Sequence, residues 1–444
     1  MIRPRRALVI GFQRTGQAVA RLLGARGTAV RVVDVRDASA LGVEPAAWRG
    51  VELNLGDAGT PSLLDGVELV VPSPGVPRAH ALLVAARERG IPIASEIELA
   101  ARLGRARLVA ITGTNGKSTT TTVVGRALGL AGIGTFTGGN LGRPLIEAVD
   151  TDADVWVAEV SSFQLEWVER FRPAIGCLLN LTPDHLDRHA DFADYRAAKT
   201  RLFAAQTAAD VAVLNRDDPE VMAIGERLVA RRVTFGEAPV PEGAFATAEG
   251  VVVRLDGVEE CLRLDRTPLV GRHNVENVMA AALVVRLAGA PVCAVQEAID
   301  TFVPLPHRLA FVAERAGVRW YDDSKATNVG AAVKSLAAFA GPVVLLAGGV
   351  DKGGDYAPLA AAARDKARMV LVFGQARERI AASLACLGVA VRVVDDLGAA
   401  VGTAAAVARP GDTVLLAPAC SSFDMFTDYA ARGRAFARAV EALG

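Results

Sequence analysis

Residues 108–122, LVAITGTNGKSTTTT, leave this chain little choice of local fold. The apolar run 108–112 has the length and Val/Ile content of a buried strand, and the Thr-rich stretch from Lys117 reads as a helix. Only the loop Gly113-Thr114-Asn115-Gly116 separates them. A strand that becomes a helix through a short glycine loop sets the helix N-terminus, with its unpaired N–H groups, at the carboxyl end of a sheet. The glycines let N–H groups approach phosphate oxygens, Lys117 supplies a cation, and Ser118 offers a hydroxyl to magnesium. The strict pattern wants glycine at position 111, where Ile stands, so this is a GxxGKS variant. Residues Gly113, Thr114, Asn115, Gly116, Lys117, Ser118 and Thr119 are therefore the candidate nucleotide-triphosphate loop. An ordinary glycine turn ahead of a helix is the competing reading, and the strand-loop-helix context disfavours it.

The rest of the chain repeats this logic. Residues 1–98 alternate short Val-rich runs (ALVIG, AVRVVD, ELVVPS, IPIAS) with helical patterns over 17–27 and 78–90, the alternation of a parallel sheet. A helix over 96–103 leads into the glycine-loop block, where further strands are expected at 155–160, 175–180 and 211–215. A third βα series places strands near 343–347, 369–373, 391–394 and 413–417. At 444 residues the chain exceeds what one hydrophobic core supports, and 51% hydrophobic residues provide for several. The expected class is α/β in three domains, 1–98, 99–305 and 306–444, with the second boundary at Pro304-Leu305-Pro306. The first and last are Rossmann-like, and the central one is a P-loop domain with a parallel sheet. No fixed-period repeat is present.

Lys plus Arg equals Asp plus Glu at 49 each, which gives no footprint for nucleic acid or an anionic membrane. Five scattered cysteines, none in a CxxC pair, point to a reducing compartment and away from a zinc site. After Arg3, Arg5 and Arg6 the apolar run 7–12 stops at Gln13 and Arg14, too short for a signal-peptide core or a membrane span. The expected location is the cytosol.

Phosphoryl transfer also needs a carboxylate at a neighbouring strand end to hold magnesium, and Glu159, at the end of DVWVA, is well placed. Asn180-Leu-Thr-Pro-Asp184-His185-Leu-Asp187-Arg188-His189 concentrates carboxylates and histidines directly after a strand, which suits a metal ion or an anionic substrate. A polar loop capped by Asp184 is the plainer account. In the first domain, Gly11, Gly16 and Asp34 approach a dinucleotide fingerprint, but Gln13 occupies the middle glycine position. A nicotinamide cofactor is thereby disfavoured and a mononucleotide or nucleotide-sugar site retained, with the turn Ser73-Pro74-Gly75-Val76 facing the same crevice. The nearest match to a guanine-reading N-K-x-D motif is Asn215-Arg216-Asp217-Asp218, with Arg where Lys is needed, so a guanine-nucleotide switch is a weak reading. The last third adds strand-end polar clusters at 306–308, 322–328, 348–353 and 417–424, which suggest a second face of an active site.

Taken together, GTNGKST, EVSSFQLE, NLTPDHLDRH, YRAAKTRLF, GRHNVENV, PHR, DDSKATN, GGVDKGGDY and APACSSFD resemble the Mur ligases of peptidoglycan synthesis, in the family's order and over essentially the whole chain. DSKATN and PACSSFD resemble most the members that add D-glutamate to UDP-N-acetylmuramoyl-L-alanine. The resemblance implies a UDP-sugar-binding domain, a central ATPase and an amino-acid-binding domain. It implies that the substrate carboxylate takes the γ-phosphoryl of ATP to form an acyl phosphate, which the glutamate amine then attacks.

Carried over by motif, Ser118 and Glu159 hold one magnesium ion, and His185 with Glu159 a second; manganese can substitute. Lys199 of YRAAK is similar to the lysine that the family carbamylates to serve that second ion, although on its own it reads as a helix-face lysine. Asn274, Arg308 and Asp323 contact the nucleotide. Lys325, Thr327, Lys352, Ser422 and Phe423 frame the reacting phosphate and the glutamate, with Lys117, His185, Lys199 and Lys325 as the catalytic set. Thr15, Asp34, Arg36, Ser73 and Gly75 lie at the UDP end and Asn140 nearer the sugar. The expected species is a monomer. Competing readings are a ligase adding L-glutamate or another amino acid, a folylpolyglutamate-type ligase, and a non-catalytic nucleotide-binding regulator. DSKATN and PACSSFD disfavour the other ligases; Lys117, Glu159, His185 and Lys199 together disfavour the regulator.

Overall fold

The structure, a computed structural model, describes residues 4–269, 271–303 and 306–443. Pro304 and Leu305, at the expected second domain boundary, lie outside the described residues, as does Arg3. Three sheets organise the chain, and all are dominated by parallel strands.

The first sheet contains β1 (Arg6–Ile10), β2 (Ala29–Asp34), β3 (Val51–Leu55) and β4 (Leu69–Pro72), all parallel in the order β3-β2-β1-β4. Residues 7–10 and 69–72 are buried throughout, as expected of central parallel strands covered on both faces. The sequence reading missed β3, an edge strand whose VELNL is half exposed and interrupted by Glu52 and Asn54. It also expected a strand in IPIAS, where only a bridge between Val70 and Ile93 forms. Pro92 cannot donate a ladder hydrogen bond, and the helix Glu96–Leu103 begins three residues after Ile93.

The second sheet has nine strands: β5 (Arg107–Thr112), β6 (Thr135–Gly139), β7 (Val155–Glu159), β8 (Ile175–Leu178), β9 (Val211–Asn215), β10 (Arg231–Gly236), β11 (Gly243–Ala246), β12 (Gly250–Leu255) and β13 (Val258–Arg263). Their order is β13-β12-β11-β10-β9-β8-β5-β7-β6. Strands β5 to β11 are parallel with their neighbours, and β12 and β13 extend the edge antiparallel. The sheet is parallel as expected, with this antiparallel extension added at one edge. Its last hairpin turns on Asp256-Gly257, both at positive φ, a two-residue turn with a recognisable sequence signal.

The third sheet comprises β14 (Ala310–Arg315), β15 (Val318–Asp322), β16 (Val343–Gly348), β17 (Ala367–Phe373), β18 (Val391–Val393) and β19 (Thr413–Leu416) in the order β14-β15-β19-β16-β17-β18. Only β14 is antiparallel. Apolar clusters cover it on both sides, one around Leu345, Leu359 and Leu415, the other around Trp320, Leu346 and Phe436.

By compactness the chain forms two units. The first holds 1–181, 196–267 and 274–301 and contains the first two sheets; the second holds 182–195, 268–273 and 302–444 and contains the third. Among the described residues no helix is long and apolar enough to cross a membrane.

Within the first unit, the helix Glu96–Leu103 carries a buried carboxylate that ties neighbouring segments together. Glu96 accepts from the Ile146 N–H at 2.7 Å and from Gln164 Nε2 at 3.4 Å. Burial pushes its carboxyl up to about 7, against those hydrogen bonds and with help from the charge of Glu147. Folding thus favours the protonated form, so this contribution to stability is full below the unfolded value of 4.5 and is lost as pH rises through about 7. Glu96→Gln is expected to be more stable than the parent at pH 8 by up to about 3 kcal/mol and equal to it near pH 4.5. Urea unfolding of both proteins across that range checks this, and a difference independent of pH would refute it.

Candidate active site

The glycine loop sits where its sequence placed it. β5 ends at Thr112 and the helix Lys117–Leu130 begins after four residues. Gly113 and Gly116 have φ of 154° and 86°. A Cβ at Gly116 would lie 2.1 Å from Asn277 Oδ1, and one at Gly113 would lie 2.9 Å from Leu179 Cβ, so neither position admits a side chain. The loop is braced from the end of β8 by Asn180. Its Oδ1 accepts from the Asn115 N–H at 2.8 Å, its Nδ2 donates to Asn115 O at 3.1 Å, and its carbonyl accepts from Thr114 N–H. Lys117 folds back over the loop, and its Nζ donates to the carbonyls of Gly113 and Thr114. Ser118 and Thr119 are buried in the first turn of the helix. Asn274 lies on the helix Arg272–Leu287 and accepts from Asn277 Nδ2.

Glu159 closes β7, beside Ile111 of β5 and Gly139 of β6. It is 2% exposed. One carboxylate oxygen accepts from Asn140 Nδ2 at 2.6 Å, while the other, Oε2, is buried without a hydrogen-bond partner. An anionic oxygen out of water with no donor is costly, and a cation would satisfy it. Lys199, on the helix Phe192–Thr200, is equally buried, and its Nζ donates to Gly113 O at 2.9 Å and Thr112 Oγ1 at 3.2 Å. Lys117, Ser118, Glu159 and Lys199 thus gather about β5, β7 and the loop. Among the described residues no three His, Cys, Asp or Glu side chains converge as a metal cluster, so a cation here would depend on Glu159, a hydroxyl and ligand oxygens.

A cleft of about 420 Å³ opens in the same unit, lined by Gln13, Arg14, Thr15, Gln17, Leu41, Pro74, Gly139, Asn140, Gly142, Pro144 and Gln164. Of the sequence-predicted UDP-sugar residues, Thr15 and Asn140 line it. Asp34 lies beneath as a clamp: it accepts from Phe12 N–H at 2.7 Å and holds Arg36 through Nε and Nη2. Burial pushes the Asp34 carboxyl up, but the bonds from Arg36 and Phe12 outweigh it and hold the group below the usual range. Ser73 Oγ donates to Gly11 O and supports the same loop, and Gly75 is exposed on the adjoining turn. Sequence reasoning missed Arg14, whose guanidinium reaches Gly142 O at 2.8 Å, and Gln164, which caps its own helix through Ser161. The capping-box spacing Ser161 to Gln164 was the available signal.

In the second unit, Asp184 is a junction. Its carboxylate accepts from Lys352 Nζ at 3.2 Å and Asn328 Nδ2 at 2.9 Å, linking three of the polar motifs. His185 is held at a φ of 57°, with Nε2 3.6 Å from Asp184 Oδ2. His189 is buried against Asp194 and Tyr195, and its backbone N–H donates to His185 O at 2.9 Å. Buried Asp323 accepts from Ser335 Oγ; burial pushes its carboxyl up to about 6, against that bond and the cation of Arg308. Lys325 Nζ stands 3.8 Å over the Tyr429 ring. Thr327 is half-buried, Ser422 is buried, and Phe423 is exposed. Beneath these loops Arg432, which sequence reasoning did not single out, is fully buried.

Comparison with known proteins identifies the family. Models for the "Mur ligase MurD-like, N-terminal domain", the "Mur ligase middle domain" and the "Mur ligase, glutamate ligase domain" match residues 5–95, 111–285 and 307–420. The chain is 45% identical over 441 residues to the UDP-N-acetylmuramoylalanine--D-glutamate ligase of Geobacter metallireducens, covering 98% of this chain and 97% of that one. It is 47% identical over 439 residues to that of Syntrophotalea carbinolica, with the same coverage. Among solved structures, a pseudomurein peptide ligase type C from Methanothermus fervidus superposes with a TM-score of 0.64 at 18% identity, covering 99% of this chain and all of that one. The UDP-N-acetylmuramate-alanine ligase of Thermotoga maritima gives 0.61 at 20% identity with the same coverage, and both share the fold. Domain models matched in order along the chain, and relatives well above 40% identity over nearly its whole length, mean that this chain belongs to the Mur ligase family.

Proposed function

We infer that this chain joins D-glutamate to UDP-N-acetylmuramoyl-L-alanine, driven by cleavage of ATP to ADP and phosphate. The observation that carries the substrate assignment is the full-length match to D-glutamate ligases. The phosphate loop and the unpartnered buried oxygen of Glu159 support the ATP and magnesium dependence. The location that fits this substrate supply is the cytoplasm, and the working species is a monomer. In domain terms, 1–98 takes the UDP-sugar, 99–305 the ATP, and 306–444 the amino acid.

The chemistry follows from the residues. A carboxylate is a poor electrophile until it is phosphorylated. Its oxygen attacks the γ-phosphorus of ATP, forming a new P–O bond as the bond to ADP breaks. The amine of glutamate then attacks the acyl carbon and phosphate leaves. Loop 113–119 orients the ATP phosphates, and Lys117 places its cation where the two anions meet. Magnesium, held by Ser118 and Glu159, supplies further charge neutralisation there. A second ion is assigned to Glu159 and His185, assisted by a carbamylated Lys199, and manganese substitutes for magnesium. Asn274, Arg308 and Asp323 serve the nucleotide. Lys325, Thr327, Lys352, Ser422 and Phe423 serve the transferred phosphate and the glutamate. Thr15, Asp34, Arg36, Ser73, Gly75 and Asn140 serve the UDP-sugar, with the cleft beside Thr15 and Asn140 as its seat.

Three outcomes test this reading. With UDP-N-acetylmuramoyl-L-alanine and magnesium-ATP, D-glutamate should raise phosphate release at least about tenfold over no acceptor or L-glutamate, with the matching amide mass. Stimulation by another acceptor instead would overturn the substrate assignment. Glu159→Gln, which replaces one carboxylate oxygen with an amide nitrogen, should cut kcat/KM by at least about 100-fold and shift the magnesium titration midpoint upward. An unchanged midpoint would remove Glu159 from the metal site. Lys199→Ala should lose activity that a short carboxylic acid partly restores, whereas near-normal activity without rescue would make the lysine structural.

A further inference from the structure

We propose that Arg432 is a positioning residue for the amino-acid acceptor, setting the spacing of the three loops that carry Lys325, Thr327, Lys352 and Ser422. The proposal rests on the reading above that these loops receive glutamate. The helix Tyr429–Glu441 presents three arginines, and Arg434 and Arg438 face solvent as such side chains ordinarily do. Arg432 instead points inward and is 0% exposed. A buried guanidinium is expensive to desolvate, so its bonds must account for its place.

Those bonds reach all three loops. Nε donates to Ser324 Oγ at 2.9 Å and Nη2 to Ser324 O at 2.9 Å, in the loop after β15. Nη1 donates to Gly348 O at 3.3 Å, at the end of β16. Nη1 and Nη2 donate to Ser421 O at 3.2 Å and Cys420 O at 3.1 Å, in the loop after β19. β15, β19 and β16 are consecutive in the sheet, so one planar fork spans three adjacent carboxyl ends. Gly349 makes room: a Cβ there would lie 2.0 Å from Ser421 O and 3.1 Å from Arg432 Nη1.

None of these five acceptors is a carboxylate, so the fork leaves a buried positive charge beneath the loops. Burial pulls the guanidinium down to about 10, while Cys420, Asp424 and Asp322 act to hold it up, and it stays charged at neutral pH. An acceptor bearing two carboxylates gains from that charge without touching it. Lysine cannot take this place. It offers three donors around one nitrogen, and no single position of that nitrogen reaches oxygens on three loops in the fork's plane.

The test uses the full chain and separates the acceptor from the phosphorylation step. Arg432→Lys keeps the charge and removes the fork. Ser324→Ala removes the hydroxyl that receives Nε and donates to Tyr429 O while leaving the arginine in place, and it carries the test alone if the lysine variant does not fold. KM is measured for D-glutamate, ATP and UDP-N-acetylmuramoyl-L-alanine, and the acyl phosphate formed without glutamate is trapped with hydroxylamine. The expected result for Arg432→Lys is a KM for D-glutamate raised at least about tenfold, with the other two KM values within about twofold and hydroxamate yield retained. Ser324→Ala should move the same way by about threefold. An unchanged KM for glutamate overturns the proposal, as does a parallel rise of all three KM values with loss of hydroxamate, which would mark a purely structural arginine. Parent protein that makes no D-glutamate amide would sink the functional reading itself, an outcome distinct from either.

Discussion

A phosphate loop must hold its backbone N–H groups open to a ligand, and nothing inside so short a loop can do that. Here the restraint comes from the next strand, where the Asn180 side chain pairs with both the N–H and the carbonyl of Asn115. The brace requires β8 to lie beside β5, which in turn requires the buried Val, Ile and Leu content that makes both strands central. The loop conformation is thus a consequence of sheet order. Glu159 is placed by the same ordering, because β7 flanks β5 on the other side and ends level with it. Parallel strands end their ladders together, so groups distant in sequence arrive at one edge.

That edge concentrates groups whose burial works against stability. Glu159 leaves one oxygen without a donor, and the buried Lys199 donates to Gly113 O and the Thr112 hydroxyl. Such groups persist in a folded chain when the surrounding packing is strong enough to hold them. The packing is visible in β5, where residues 108–112 are buried without a break, and in β7, where all five residues are buried. Asp34 shows the opposite arrangement. Its carboxylate is saturated by Phe12 and Arg36, and its effect is exerted through the loop it holds.

The sequence made legible whatever depends on local pattern. The strands β2 and β9 and the helix Glu96–Leu103 fall where apolar runs put them, and the glycine loop was readable because strand, loop and helix are contiguous. β3 was not readable, because an edge strand needs only half its residues buried and its Glu and Asn interrupt the apolar signal. The edge β12–β13 lies outside the βα alternation that marks the other strands, and its local signal is the turn Asp256-Gly257. Among the residues lining the cleft, Thr15 and Asn140 stand in motifs that the sequence displays. What brings Gln164 to the cleft is a cap formed with Ser161 and a bond to Glu96, sixty-eight residues earlier in the chain.

Arg432 is the sharpest case of what local pattern hides. In sequence it is one of three arginines in an alanine-rich helix, and helical periodicity places it on the face that also carries Gly433, Phe436 and Val440. That apolar face would ordinarily exclude a guanidinium. What admits it is the meeting of three strand ends whose carbonyls, at Ser324, Gly348, Cys420 and Ser421, all converge on one guanidinium. A sheet edge that ends in loops creates unpaired carbonyls, and a rigid fork of donors is the economical way to satisfy several of them at once. The arginine and the loop ends therefore require one another, and neither requirement is visible until the strands are side by side.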